Sequence, residues 1–79
     1  MILEKVKELI AEQFTVDANT ITEETDIAGD LGADSLDIVE FTMMLEEEFD
    51  AGEIGEDDLK TLRTVGDVVA FVAERTGEE

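Results

Sequence analysis

Seventy-nine residues without a cysteine make one small domain, which neither a disulfide nor a thiolate metal site can staple. Leu, Ile, Val and Phe number 24, about 30% of the chain and above the roughly 20% below which disorder is expected, so packed aliphatics must hold the fold. Five basic residues against 23 acidic ones leave a net charge of −18, which argues against nucleic acid and anionic membrane as partners and favours basic protein surfaces.

Residues 2–14 predict an amphipathic helix, with Ile2, Leu3, Val6, Leu9, Ile10 and Phe14 at helical spacing. Charges interrupt the apolar run of MILEKVKELI and no stretch is long enough to span a bilayer. The expectation is therefore a cytoplasmic chain without a secretory signal. A connection of about 20 residues follows, from Thr15 to Asp34, long for a compact domain unless it carries function or packs itself down. Val16, Ile21, Ile27 and Leu31 are spaced to anchor it.

Residues 35–49 predict a second helix, with Asp34 as N-cap and Asp37 placing a carboxylate in the first turn. A glycine-containing loop leads to a short helical stretch over Glu56 to Thr61. The last helix runs from Val65 to about Arg75, with Thr64 as N-cap and Asp67 three residues on. Val65, Val68, Val69 and Val72 form its core face. Gly77 ends it, and a frayed acidic tail is expected beyond. Without proline, repeat or an alternating strand pattern, the fold class is all-α: a small bundle of three longer helices and one short one.

The second helix carries two apolar stripes. At about 100° per residue, Ile38, Phe41, Leu45 and Phe49 lie within roughly 80° of one another and form the core face. Leu36, Val39 and Met43 fall within about 60° on the opposite side, flanked by Glu40 and Glu47. One buried stripe suffices to join a bundle, so the second either faces water or meets a partner whose apolar groove is rimmed by Arg or Lys.

Ser35 begins this helix between two aspartates. The chain has no histidine, and Asp30, Asp34 and Asp37 disfavour an alkoxide, so no catalytic residue is assigned. Ser35 is either an ordinary first-turn residue beside its cap or a point of attachment. A phosphodiester there would meet free backbone N–H groups and the positive end of the helix dipole.

The string LGADSLDIVEF at 31–41, followed by LEEEF and by a later TV before the last helix, resembles the acyl carrier proteins of dissociated (type II) fatty acid synthesis. The resemblance covers nearly the whole chain. It implies that Ser35 carries 4′-phosphopantetheine, a group-carrier arm ending in a thiol, on which growing acyl chains ride as thioesters. A holo-carrier synthase, a phosphopantetheinyl transferase, would install the arm from coenzyme A with its own base and magnesium, and Asp34 would assist its recognition. Leu36, Val39, Glu40, Met43, Glu46 and Glu47 match the family's docking positions for ketoacyl synthases, reductases, dehydratases and acyltransferases with basic patches. The acyl pocket implied by the family maps onto Ile38, Phe41, Leu45, Ile54, Leu59, Leu62, Val68 and Phe71. A monomer is expected.

Two departures bear on that pocket. Ile54-Gly55 stands where the family often has Ile-Pro, after what looks like a one-residue insertion around Ala51-Gly52, so more backbone freedom is expected there. Phe41 is bulkier than the usual leucine or valine and is expected to shorten the pocket. Polyketide, peptidyl and D-alanyl carriers share the fold and the serine. A divalent-cation module and a small hydrolase are the alternatives from other classes. An EF-hand loop fits neither register, because position six and position twelve hold Leu31 and Asp37, or Ser35 and Phe41. A hydrolase needs a cleft that four short helices are not expected to provide.

Overall fold

Four helices arise where the apolar periodicity and the caps place them. The structure, a computed structural model, describes residues 2–77. Helix α1 spans Ile2–Phe14, α2 Ser35–Phe49, α3 Glu56–Leu59 and α4 Val65–Thr76. Predicted and observed ends of α1 and α2 coincide; α3 stops two residues earlier and α4 runs one residue further. Glu78 and Glu79, where a frayed tail is expected, lie outside the described residues.

The helix starts are fixed by side chains. Asp34 accepts a hydrogen bond from the Asp37 N–H at 2.9 Å, and Asp37 accepts from the Asp34 N–H at 3.2 Å, closing a capping box. Thr64 and Asp67 repeat the device at α4, at 3.2 and 3.1 Å. Gly77 closes α4 in the left-handed region, its N–H donating to the Ala73 carbonyl.

Helix α1 packs on both α2 and α4, which also touch each other. Val6, Ile10, Leu45, Val65, Val68 and Val72 are fully buried between them. The Phe14 and Phe41 rings meet at 6.0 Å between centroids, tilted by 58°. Thr42 is buried as well; its hydroxyl is satisfied by donating to the Val39 carbonyl at 2.7 Å.

The long connection packs itself down. A 3-10 turn at Ala18–Thr20, not expected from the sequence, is capped by Asp17. Ile21 and Ile27 are buried, while Val16 and Leu31 pack at the core margin. The backbone is then tied to the start of α4: Ile27 N–H donates to Arg63 O at 2.9 Å, Val65 N–H to Thr25 O at 3.0 Å and Gly66 N–H to Glu23 O at 2.8 Å. A Cβ on Gly66 would lie 3.1 Å from that Glu23 oxygen, so the close approach favours glycine here.

Two predictions follow from this core. Leu45→Ala, at a fully buried position, costs roughly 2–5 kcal/mol in urea unfolding. With −18 on so small a body, added salt raises the melting temperature through screening. A melting temperature indifferent to ionic strength would show the repulsion already offset within the fold.

Candidate functional site

Ser35 is the first residue of α2 and is exposed. Among the described residues its hydroxyl has no side-chain base within hydrogen-bonding reach, and the chain offers no histidine to supply one. The Asp34–Asp37 box takes up the Asp37 N–H and Asp34 O accepts from Ile38 N–H, which leaves the N–H groups of Ser35 and Leu36 as open donors of the first turn. This serine cannot activate itself, but it is accessible and stands at the positive end of a helix. An exposed hydroxyl at a rigidly capped helix start fits attachment of a phosphodiester-linked arm.

Leu36, Val39 and Met43 are 66%, 39% and 56% exposed, so the second apolar stripe does face outward. Met44 instead packs against the core. Glu40 and Glu47 are exposed beside the stripe, Glu40 steadied by a 3.0 Å hydrogen bond from the Gln13 amide. Glu46 behaves differently. It is half-buried and accepts the Ile54 N–H at 2.8 Å, so its carboxylate braces the α2–α3 loop.

A cleft of about 310 Å³ opens beside the first turn of α2. Ile38, Leu59 and Leu62, from the implied pocket set, line it together with Ala28, Gly29, Asp26 and Arg63. Phe41, Leu45 and Val68 are packed solidly in the core and do not line this cleft. Ile54 is also buried, and Phe71 lies under the Arg75 guanidinium at 4.5 Å from its ring centroid. Phe41 packs against Phe14, and the cleft is bounded by Ile38 of α2, Leu59 of α3 and loop residues.

Four short helices do leave a cleft, contrary to expectation, and the small Ala28 and Gly29 are among the residues that line it. It lacks a hydrolytic pair. Its carboxylate, Asp26, is engaged by the Gly29 N–H at 2.9 Å. Asp30 likewise accepts the Asp26 N–H at 2.9 Å, so the acidic run 26–30 ties its own turn together. Among the described residues no three carboxylates are gathered to hold a metal ion.

The freedom expected around Ala51-Gly52 and Gly55 is countered by one residue the sequence did not single out. One Arg75 guanidinium nitrogen donates to the carbonyls of Ala51 at 3.2 Å and Glu53 at 3.0 Å, and the other to the Asp58 carboxylate at 3.0 Å. Asp58 also accepts the Gly55 N–H at 3.2 Å.

With this geometry in place, comparison with known proteins fixes the family. Residues 4–72 match the family model described as phosphopantetheine attachment site. The acyl carrier protein of Clostridium acetobutylicum is 49% identical over 78 residues, 99% of this chain and 100% of that protein. That of Lactobacillus acidophilus is 47% identical over 76 residues, covering 96% and 94%. The solved structure of the acyl carrier protein from Enterococcus faecalis superposes with a TM-score of 0.79 at 35% identity, covering 94% of this chain and 92% of that one. The chain belongs to the acyl carrier protein family, whose members are carriers and not enzymes.

Asp34 has a structural role that any test of recognition must separate. Asp34→Ala loses the cap and costs about 1 kcal/mol of stability, whereas Asp34→Asn caps nearly as well and leaves thermal unfolding almost unchanged. Comparable losses in both variants, measured by calorimetry, would refute the capping role.

Proposed function

We propose that this protein carries growing acyl chains as thioesters on a 4′-phosphopantetheine arm attached to Ser35, and passes them between the enzymes of fatty acid biosynthesis. The observation that carries the reading is the exposed Ser35 at the capped start of α2, directly beside an uncovered apolar stripe. The membership of the family supports the arm, and the resemblance of the D-S-L-D-x-V-E run supports fatty acid synthesis over polyketide or peptidyl assembly. The arm supplies a thiol, which the chain itself lacks. What the residues of this chain contribute is an attachment oxygen, a docking face and shelter for cargo.

Partners in this reading are a holo-carrier synthase, which brings the general base absent here, and then ketoacyl synthases, reductases, dehydratases and acyltransferases in the cytoplasm. They would meet a monomer through Leu36, Val39 and Met43, with Glu40 and Glu47 steering basic patches into place. Burial of an apolar line rimmed by charge gives affinity at the centre and on-rate at the rim. Glu46 contributes by shaping the loop behind that face.

Incubation with coenzyme A and a broad-specificity phosphopantetheinyl transferase adds a single phosphopantetheine to the intact mass, and Ser35→Ala abolishes the addition. No mass change where a control carrier is modified would sink the reading. Met43→Ala leaves stability within about 0.5 kcal/mol but weakens use of the loaded carrier by a ketoacyl synthase. Glu40→Lys impairs the same step with a salt dependence that the Met43 change lacks. If Met43→Ala unfolds the domain or leaves every partner unaffected, the docking face is elsewhere.

A further inference from the structure

Helix α3 is four residues long, too short to be stable by itself, so its place depends on what holds it. Leu59 anchors its inner side and, with Leu62 just beyond the helix, lines the cleft together with Ile38. Its outer side is held from α4. Arg75 binds Asp58, the residue before Leu59, and grips the preceding loop at Ala51 and Glu53. Gly52, at φ 80°, lies in that gripped segment, and a Cβ there would come 3.8 Å from the guanidinium. The looser loop and its fastening thus belong together.

Given the carrier reading above, we propose that Arg75 is a specificity-determining residue: by fastening α3 and the α2–α3 loop, it sets the length of acyl chain that the cleft admits. The guanidinium is planar and makes its three hydrogen bonds in a fixed fork, which defines a position better than a single point charge does. The Asp58 and Arg75 side chains are about a third exposed, at 35% and 34%, so charge attraction alone is screened and the geometry of the fork matters most. Stacking on Phe71 keeps the fork aimed. An unfastened α3 could swing outward on Gly55 and deepen the cleft, at the expense of a tight fit around short chains.

The test loads the full chain with arms bearing acyl groups from butyryl to palmitoyl, taken from the matching acyl-coenzyme A, and measures thioester hydrolysis for each. In parallel, amide hydrogen exchange is followed over residues 56–62 of the unacylated chain. In the parent, protection rises with chain length until the cleft is full and then falls. Arg75→Gln shifts that turning point to longer chains by at least one two-carbon step and speeds exchange in α3 about tenfold. Arg75→Lys, which keeps the charge but not the fork, falls between the two. Asp58→Asn, which leaves the carbonyl contacts in place, shifts the profile in the same direction if Arg75→Gln proves too unstable to load.

Unchanged exchange in α3 would refute the fastening. Faster exchange with an unmoved turning point, or hydrolysis raised equally for every chain, would reduce Arg75 to a general structural role and overturn the proposal. If the parent takes no arm at all from a transferase that loads a control carrier, the carrier reading fails first and the length proposal with it.

Discussion

Asp34 and Asp37 each accept a backbone N–H from the other's residue, and carboxylates accept backbone N–H groups at several other turns of this acidic chain. Asp17 caps the 3-10 turn, Asp26 and Asp30 tie the tip of the long connection, and Asp67 accepts from Arg63 and Thr64 at the start of α4. Glu46 and Asp58 do the same for the α2–α3 loop. Cations cannot balance 23 carboxylates when only five are present. Backbone amides take part of that role. A carboxylate that accepts an N–H replaces a donor it would otherwise find in water and satisfies an amide that the helix leaves open. The charge thereby becomes the means of fixing loops, while its bulk repulsion stays outside the aliphatic core.

That economy leaves α2 free to serve two sides at once. Phe41 and Leu45 are sealed against α1 and α4, and Ile38 borders the cleft; Leu36, Val39 and Met43 face outward. A single-stripe helix could be tilted or rolled to improve its burial. Here the capping box fixes the entry of α2, and Glu46, near its far end, is tied to Ile54. Ser35 shares α2 with the outward stripe, so the helix itself sets their relative rotation, and these ties hold both against the flanking loops. In the carrier reading this matters, because a partner that docks on the stripe finds the attachment point at a set distance from it.

The helices were legible because their signals are local. Period alone placed α1 to the residue, and period with the N-cap Asp34 and the acid Asp37 placed α2 as well. Gly77 and Thr64 did nearly as well for α4. The connection was legible only in part: Ile21 and Ile27 announced themselves as anchors, but the hydrogen bonds from Ile27, Val65 and Gly66 join segments about 40 residues apart through backbone groups common to every sequence. Arg75 was hidden for a related reason. Two of its three acceptors are carbonyls, which no pattern of charged residues reveals. Nor does any local pattern distinguish Ile38, which borders the cleft, from Leu45, which is fully enclosed.

Cleft and stripe are separated by the rotation of one residue. Ile38 borders the cleft and Val39, its neighbour, is exposed on the stripe, both within about a turn of Ser35. In the carrier reading, an arm anchored at Ser35 would start at a divide. Turned one way it follows Ile38 toward Leu59 and Leu62; turned the other it leaves over Leu36 toward whatever covers the stripe. Cargo held in the cleft keeps its apolar surface out of water, worth about 0.8 kcal/mol for each methylene fully buried. In the carrier reading a partner would have to offer comparable burial at its own site to draw the chain across, and docking on Leu36, Val39 and Met43 would supply energy for that exchange. In the proposal made for Arg75, a fastened α3 would favour the cleft for short chains and a loosened one for longer chains, so the fastening and the bare side of α2 would act on one equilibrium from opposite ends.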